Sequence, residues 1–136
     1  MHKSSLGHLQ VNVDAKNINF YKDFFNFLEW SSLYQDDSVV GVADQNGAGL
    51  WFVPAMKQVA NDYDGNGTNH IAISVASQAD VDETVAYLKK NNVACLFETP
   101  RHRPDFAESP EHTYYQVMFE SPDRILFEVV YTGPLG

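Results

Sequence analysis

The chain is poor in cysteine, in positive charge and in long apolar runs. Cys95 is the only cysteine among 136 residues, so no intramolecular disulfide can form. It lies in the apolar run Val93 to Phe97, the setting of a buried, inert thiol rather than of a nucleophile. Lysine and arginine number 9 against 18 aspartates and glutamates, a net charge of -9, with a pI near 4.7. Such a balance denies the chain the concentrated basic surface that a phosphate backbone demands, and nucleic acid is excluded as a partner. No apolar stretch approaches the roughly 20 residues of a membrane span, and the opening, Met1 to Leu6, is short and polar. A cytoplasmic protein without membrane contact is expected. Its length is enough to bury a real core in one compact domain over residues 1–136, built of two halves.

What is present has the order of a duplication. Leu6 to Val13 alternates as a strand, and Ala15 to Phe25 then places Ile18, Tyr21 and Phe25 at helical spacing, with Phe24 beside them. Asp14 or Asn17 can cap that helix, and Asn26 can take the left-handed conformation that ends it. Trp30 to Tyr34, Ser38 to Ala43 and Ala48 to Val53 read as strands, the last pair joined at Gln45-Asn46-Gly47. The first module, about residues 6–53, is therefore β-α-β-β-β. A turn-rich connector follows over about 54–68.

The second module, about residues 69–131, repeats the order. Asn69 to Ala76 is a strand, and Ser77-Gln78-Ala79-Asp80 caps a helix whose inner face carries Val81, Val85 and Leu88. Lys89 and Lys90 suit its negative end, and Asn91-Asn92 can terminate it. Strands are expected at about Ala94 to Glu98, Thr113 to Phe119 and Ile125 to Tyr131, the last two joined by Ser121-Pro122-Asp123-Arg124. The fold class is α+β.

An offset of 62 residues lays His70 on His8, Ile73 on Val11 and Val75 on Val13. Strand alternation then sends Leu9, Val11 and Val13 toward the helices and His8, Gln10 and Asn12 to the opposite face, with Ile71, Ile73 and His70 repeating the pattern. Glu128 stands in an otherwise apolar strand, where a carboxylate is costly unless paired, protonated or metal-bound. Two imidazoles and a carboxylate from three strands form a facial donor set for one divalent metal, and such ligands suit Fe, Mn, Zn or Ni. Pairing Leu50-Trp51-Phe52-Val53 with Leu126-Phe127-Glu128-Val129 places Phe52 where the second module has Glu128.

Gly7-His8-Leu9, Phe20-Tyr21 ahead of Phe25-Asn26-Phe27, Asn69-His70-Ile71-Ala72, Ser121-Pro122-Asp123 and Phe127-Glu128-Val129 together make the chain resemble the vicinal oxygen chelate superfamily, the glyoxalase, bleomycin-resistance and dioxygenase group. The resemblance spans nearly the whole chain. It implies two βαβββ modules forming curved mixed sheets around a metal-binding cleft, and metal ligands at His8, His70 and Glu128. It further implies a metal-dependent enzyme of lyase, isomerase or extradiol-type dioxygenase chemistry on a small oxygen-chelating substrate, and a homodimer. The alternative is a non-catalytic small-molecule binder like the bleomycin-resistance proteins.

Phe52 in place of a fourth ligand disfavours glyoxalase I itself, and Phe52, Gln10 and Asn12 are expected near the substrate. Dioxygenases of the group carry a tyrosine and a histidine near the metal; Tyr114, Tyr115, His112 or His102 could supply them. Adjacent tyrosines on a strand face opposite ways, so only one of Tyr114 and Tyr115 can reach the site. Thr99 to His112 is expected to be a long loop covering the cleft, with Arg101 or Arg103 meeting an anionic part of the substrate.

Overall fold

The computed structural model describes residues 2–135, and the chain divides into two compact units, Met1–Ala60 and Asn61–Gly136. The first carries β1 (His8–Val13), α1 (Ile18–Phe27), β2 (Ser31–Gln35), β3 (Val40–Ala43) and β4 (Gly49–Pro54). The second carries β5 (His70–Ser74), α2 (Gln78–Lys90), β6 (Leu96–His102), β7 (His112–Glu120) and β8 (Leu126–Pro134). Each unit holds a four-stranded mixed sheet, in the orders β1-β4-β3-β2 and β5-β8-β7-β6. In both, the first strand pairs parallel with the last and the other neighbours are antiparallel. This is the α+β arrangement of paired βαβββ modules expected from the sequence.

The helices form where apolar spacing and capping agree. In unit one Ile18, Tyr21, Phe24 and Phe25 are the buried residues of α1, and Tyr21 stacks on Phe52 of β4 with ring centres 4.3 Å apart. Asp14, rather than Asn17, supplies the side-chain cap, accepting from the Lys16 N–H in the 3-10 turn that precedes α1. The end of α1 departs from expectation. Asn26 remains helical, and the left-handed residue is Glu29, at φ 63°. Trp30 N–H bonds the Phe25 carbonyl and Glu29 N–H the Asn26 carbonyl, both at 3.0 Å. These are the paired bonds of a Schellman end, and the Trp30 ring packs on Phe25 at 4.9 Å to complete it. The packing of Trp30 on Phe25 within this motif outweighs the preference of asparagine for the left-handed position.

In unit two the Ser77 side chain accepts from Asp80 N–H at the head of α2, and Asn92 takes φ 59° at its end. The buried residues of α2 are Val81, Thr84 and Leu88, so Thr84 replaces Val85 on the innermost stripe. Its hydroxyl is accommodated by donating to the Asp80 carbonyl at 2.9 Å. Phe119 and Phe127, paired across β7 and β8, stack at 5.6 Å beneath that helix face.

The segment Thr99 to His112 divides differently from its expected loop. Thr99 to His102 belong to β6, and only Arg103 to Glu111 form the excursion, with a 3-10 turn at Pro104–Phe106. Phe97 and Glu98 carry positive φ of 56° and 60°, and the β6–β7 register shifts between Leu96 and Arg101. A bulge of that kind interrupts alternation, which hid the true length of the strand.

Candidate functional site

The register of unit two brings a polar group together on one sheet face. On β8, Glu128 stands opposite Ala72 of β5 and Met118 of β7, flanked on its own face by Leu126, opposite His70, and by Val130, opposite Gln116. Residues paired in this way share a face. His70, Gln116, Glu128 and Tyr114 thus point away from α2, while Ile73, Val117 and Val129 point toward it.

Glu128 is 2% exposed, so each oxygen needs a partner. Oε2 accepts from the Tyr114 hydroxyl at 2.9 Å and from the Gln116 amide. Oε1 lies 3.4 Å from His70 Nε2. The His70 ring is fixed from behind, its Nδ1 lying 2.7 Å from Asn69 Oδ1. Burial, then the hydrogen bond and charge of Glu128, push the Tyr114 phenol up to about 12, with the Arg103 charge acting in the other direction. At neutral pH Tyr114 is therefore a protonated donor.

The loop between β6 and β7 reaches this same face. Phe106 meets the Tyr114 ring edge to face at 5.4 Å, and the Arg103 guanidinium lies over Phe106 at 4.5 Å. Arg103 Nη1 donates to Gln116 Oε1 at 3.4 Å, while Nε and Nη2 are taken by Asp105. Gln116 consequently links Arg103 to Glu128, spending its oxygen on one and its nitrogen on the other. Arg101 is placed on the surface, paired with Glu98 at 3.9 Å.

Other expected residues fall elsewhere. Tyr115 is corrected by its register: it faces α2, donates to Asp82 at 2.6 Å, and is raised to about 12 by burial and then by that carboxylate. The period of two that sends Tyr114 to Glu128 sends its neighbour to the helix. His112 is engaged by its own loop, with Nδ1 2.7 Å from Ser109 Oγ and Nε2 3.7 Å from Glu108. His102 Nδ1 is bound to the Thr113 hydroxyl.

In unit one, His8 is exposed on β1 with Gln10 and Asn12 on the same face, the latter pair joined by a 3.2 Å hydrogen bond. His8 stands opposite Gly49 and Gln10 opposite Trp51. Phe52 is paired with Val11 on the helix side and fully buried against Tyr21, so it cannot line a site. The expected match of Phe52 with Glu128 is one residue out. His70 opposes Leu126 as His8 opposes Gly49, which makes Trp51 the counterpart of Glu128. A slip of one residue exchanges the two faces of a strand, and the absence of a carboxylate at this place survives the correction.

His70 and Glu128 fit a divalent ion by donor chemistry. An imidazole nitrogen and a carboxylate oxygen 3.4 Å apart can share one ion at the roughly 2.1 Å typical of each bond. Among the described residues, no group of three or more His, Cys, Asp or Glu side chains is gathered closely enough to hold a metal. His70 and Glu128 belong to unit two and His8 to unit one. Gln116 and Phe106 were not anticipated. Gln116 could have been found as the polar residue two places from Tyr114, on the same face of a strand whose apolar positions alternate with it; Phe106 carries no local signal.

Duplicated βαβββ sheets with a histidine opening each first strand and a glutamate on the last define a glyoxalase-like class of protein. The chain belongs to the Glyoxalase/Bleomycin resistance protein/Dioxygenase superfamily, whose model matches residues 5–129. A protein of Bacillus halodurans provisionally named a glyoxalase is 27% identical, with a TM-score of 0.75 over 93% of this chain and 94% of that one. A glyoxalase/dioxygenase of Nostoc punctiforme is 15% identical, with a TM-score of 0.67 over 95% and 91%. A mutant of the genomically encoded fosfomycin resistance protein of Listeria monocytogenes, complexed with Mn(II) and dihydroxypropylphosphonic acid, is 20% identical, with a TM-score of 0.62 over 95% and 90%. These last two show a common fold alone. No curated protein matches the chain.

Proposed function

We propose that the chain is a metal-dependent enzyme that acts on a small substrate presenting two oxygens, with His8, His70 and Glu128 as the protein ligands of one divalent ion. The observation that carries this reading is the treatment of Glu128. It is buried, Tyr114 and Gln116 satisfy one oxygen, and the other oxygen faces His70 Nε2. A buried carboxylate aimed at an imidazole nitrogen suits a cation better than any purely structural use of the strand. Fe, Mn, Zn and Ni all suit these donors. When bound, the ion would supply Lewis-acid polarisation of the substrate oxygens.

The chain's own residues supply the rest. Tyr114 keeps its proton at neutral pH and can donate to a substrate oxygen as charge develops there. Arg103, half-buried beside Phe106, is the cation that an anionic substituent of the substrate would meet. Asp105 already holds two of its donor nitrogens, so such a substituent has to share or displace that carboxylate. Lyase, isomerase and extradiol-type dioxygenase chemistry all use these parts. His8 joins the other ligands either within one chain or from the second chain of a homodimer.

Metal analysis of protein purified without chelator tests the reading. Near-stoichiometric metal is expected, lost on His70→Ala and on Glu128→Ala. Metal content unaffected by either substitution, or no affinity for any of the four ions, would sink it. Tight ligand binding without metal or turnover would identify a binding protein instead.

A further inference from the structure

Unit two leaves only one assignment for the single proton of a neutral His70 ring. Tyr63 is buried, at 8% exposure, with its hydroxyl donating to Glu120 and the Arg124 guanidinium 5.5 Å above its ring. Asn61 adds a bond from its amide nitrogen to the Arg124 carbonyl at 2.9 Å. The main-chain carbonyl of Tyr63 is thereby placed, and a carbonyl only accepts. The Asn69 atom 2.9 Å from it is accordingly the amide nitrogen. The other Asn69 atom is the oxygen, 2.7 Å from His70 Nδ1. That oxygen cannot donate either, so the hydrogen between them sits on Nδ1. Nε2 of the neutral ring is left with its lone pair, 3.4 Å from Glu128 Oε1.

We propose that Asn69 is a positioning residue: anchored on the Tyr63 carbonyl, it holds His70 in the Nδ1–H tautomer and presents the Nε2 lone pair beside Glu128. The inference deepens the metal-site reading and rests on it only for its consequence for metal affinity. Groups behind a histidine ligand ordinarily perform this task with a carboxylate or a main-chain carbonyl; here a side-chain amide does, itself fixed by the connector. The other module has no side chain at the equivalent position. Gly7 stands where Asn69 stands, and glycine has no side chain to offer His8. The two imidazoles of the duplicated strands are therefore not equivalent in preparation, and His70 is the preorganised one.

Ring nitrogen NMR of the metal-free protein at about pH 8.5, above the ordinary imidazole range, tests this directly, with the His70 signals assigned by their absence in His70→Gln. The native spectrum should show a protonated Nδ1 and a pyridine-like Nε2. Asn69→Leu should shift His70 toward the Nε2–H tautomer and weaken Zn(II) binding by roughly 10–100-fold. Asn69→Asp, which keeps an acceptor oxygen, should retain the native tautomer. An Nε2–H tautomer in the native protein, or an unchanged one in Asn69→Leu, overturns the proposal. Should Asn69→Leu fail to fold, the native spectrum and Asn69→Asp decide. If the native protein binds no Zn(II), the metal reading falls, while the tautomer still judges the role of Asn69.

Discussion

Glu128 and Gly41 show how single residues carry this molecule. Gln116 contributes one of the two hydrogen bonds to Glu128 Oε2. In Gln116→Leu the carboxylate loses that donor while remaining buried, and metal-free protein should lose about 1–3 kcal/mol by chemical denaturation. A change within about 0.5 kcal/mol, the range of a neutral surface substitution, would mean that the amide is dispensable. Gly41 has a packing role instead. A Cβ at that position would lie 2.7 Å from three atoms of the Trp51 indole, which stands directly opposite on β4 and stacks with Tyr34. Gly41→Ala should cost about 1–3 kcal/mol through overpacking and change the tryptophan emission. The sequence announces Glu128 as a charge among apolar neighbours. It does not announce Gly41, because the need for glycine comes from an indole ten positions away.

At the level of elements, α2 and β7 meet through Tyr115 and Asp82. The Tyr115 phenol rises from an ordinary value near 10 to about 12, so the folded state holds its proton more tightly than the unfolded state. That contribution to stability is complete below about pH 10 and is lost as pH rises through about 12. Tyr115→Phe should therefore fall less in melting temperature than the native protein between pH 10 and about 12, the interval those two values span; parallel declines would exclude the linkage. At the head of the same helix, Ser77→Ala removes the acceptor for Asp80 N–H and should cost about 1 kcal/mol. The helices and the caps at Asp14 and Ser77 are readable because spacing and capping are local, whereas the end of α1 at Glu29 is not. The full extent of β6 is not legible in the sequence, because its bulge at Phe97 and Glu98 breaks the alternation on which strand reading depends. The slip that put Phe52 in the place of Trp51 has a related cause: hydrophobicity aligns Leu50 to Val53 with β8 equally well in either register, and only the hydrogen-bonded pairing of His8 with Gly49 decides it.

For the whole molecule, the metal reading predicts that ligand binding and folding are linked. Adding Mn(II) or Zn(II) at 100 times its Kd should raise stability by about 2.7 kcal/mol, a gain absent in Glu128→Ala. Arg101→Ala with Arg103→Ala should weaken substrate binding without altering metal content, with Arg103 dominating because it alone reaches Gln116. Mixing His8→Ala with Glu128→Ala should restore metal binding only if a site draws ligands from two chains. Duplication, the β-α-β-β-β succession of elements, helix positions and the inward or outward sense of His8 and His70 were all present in the linear pattern, because each depends on spacing along the chain. The choice of Tyr114 over Tyr115, the link from Arg103 through Gln116 to Glu128, and the anchoring of His70 by Asn69 and Tyr63 were not. They join groups up to 63 positions apart, as Asn61 and Arg124 are. Such contacts follow from strand register and from the path of a connector, which no local propensity encodes.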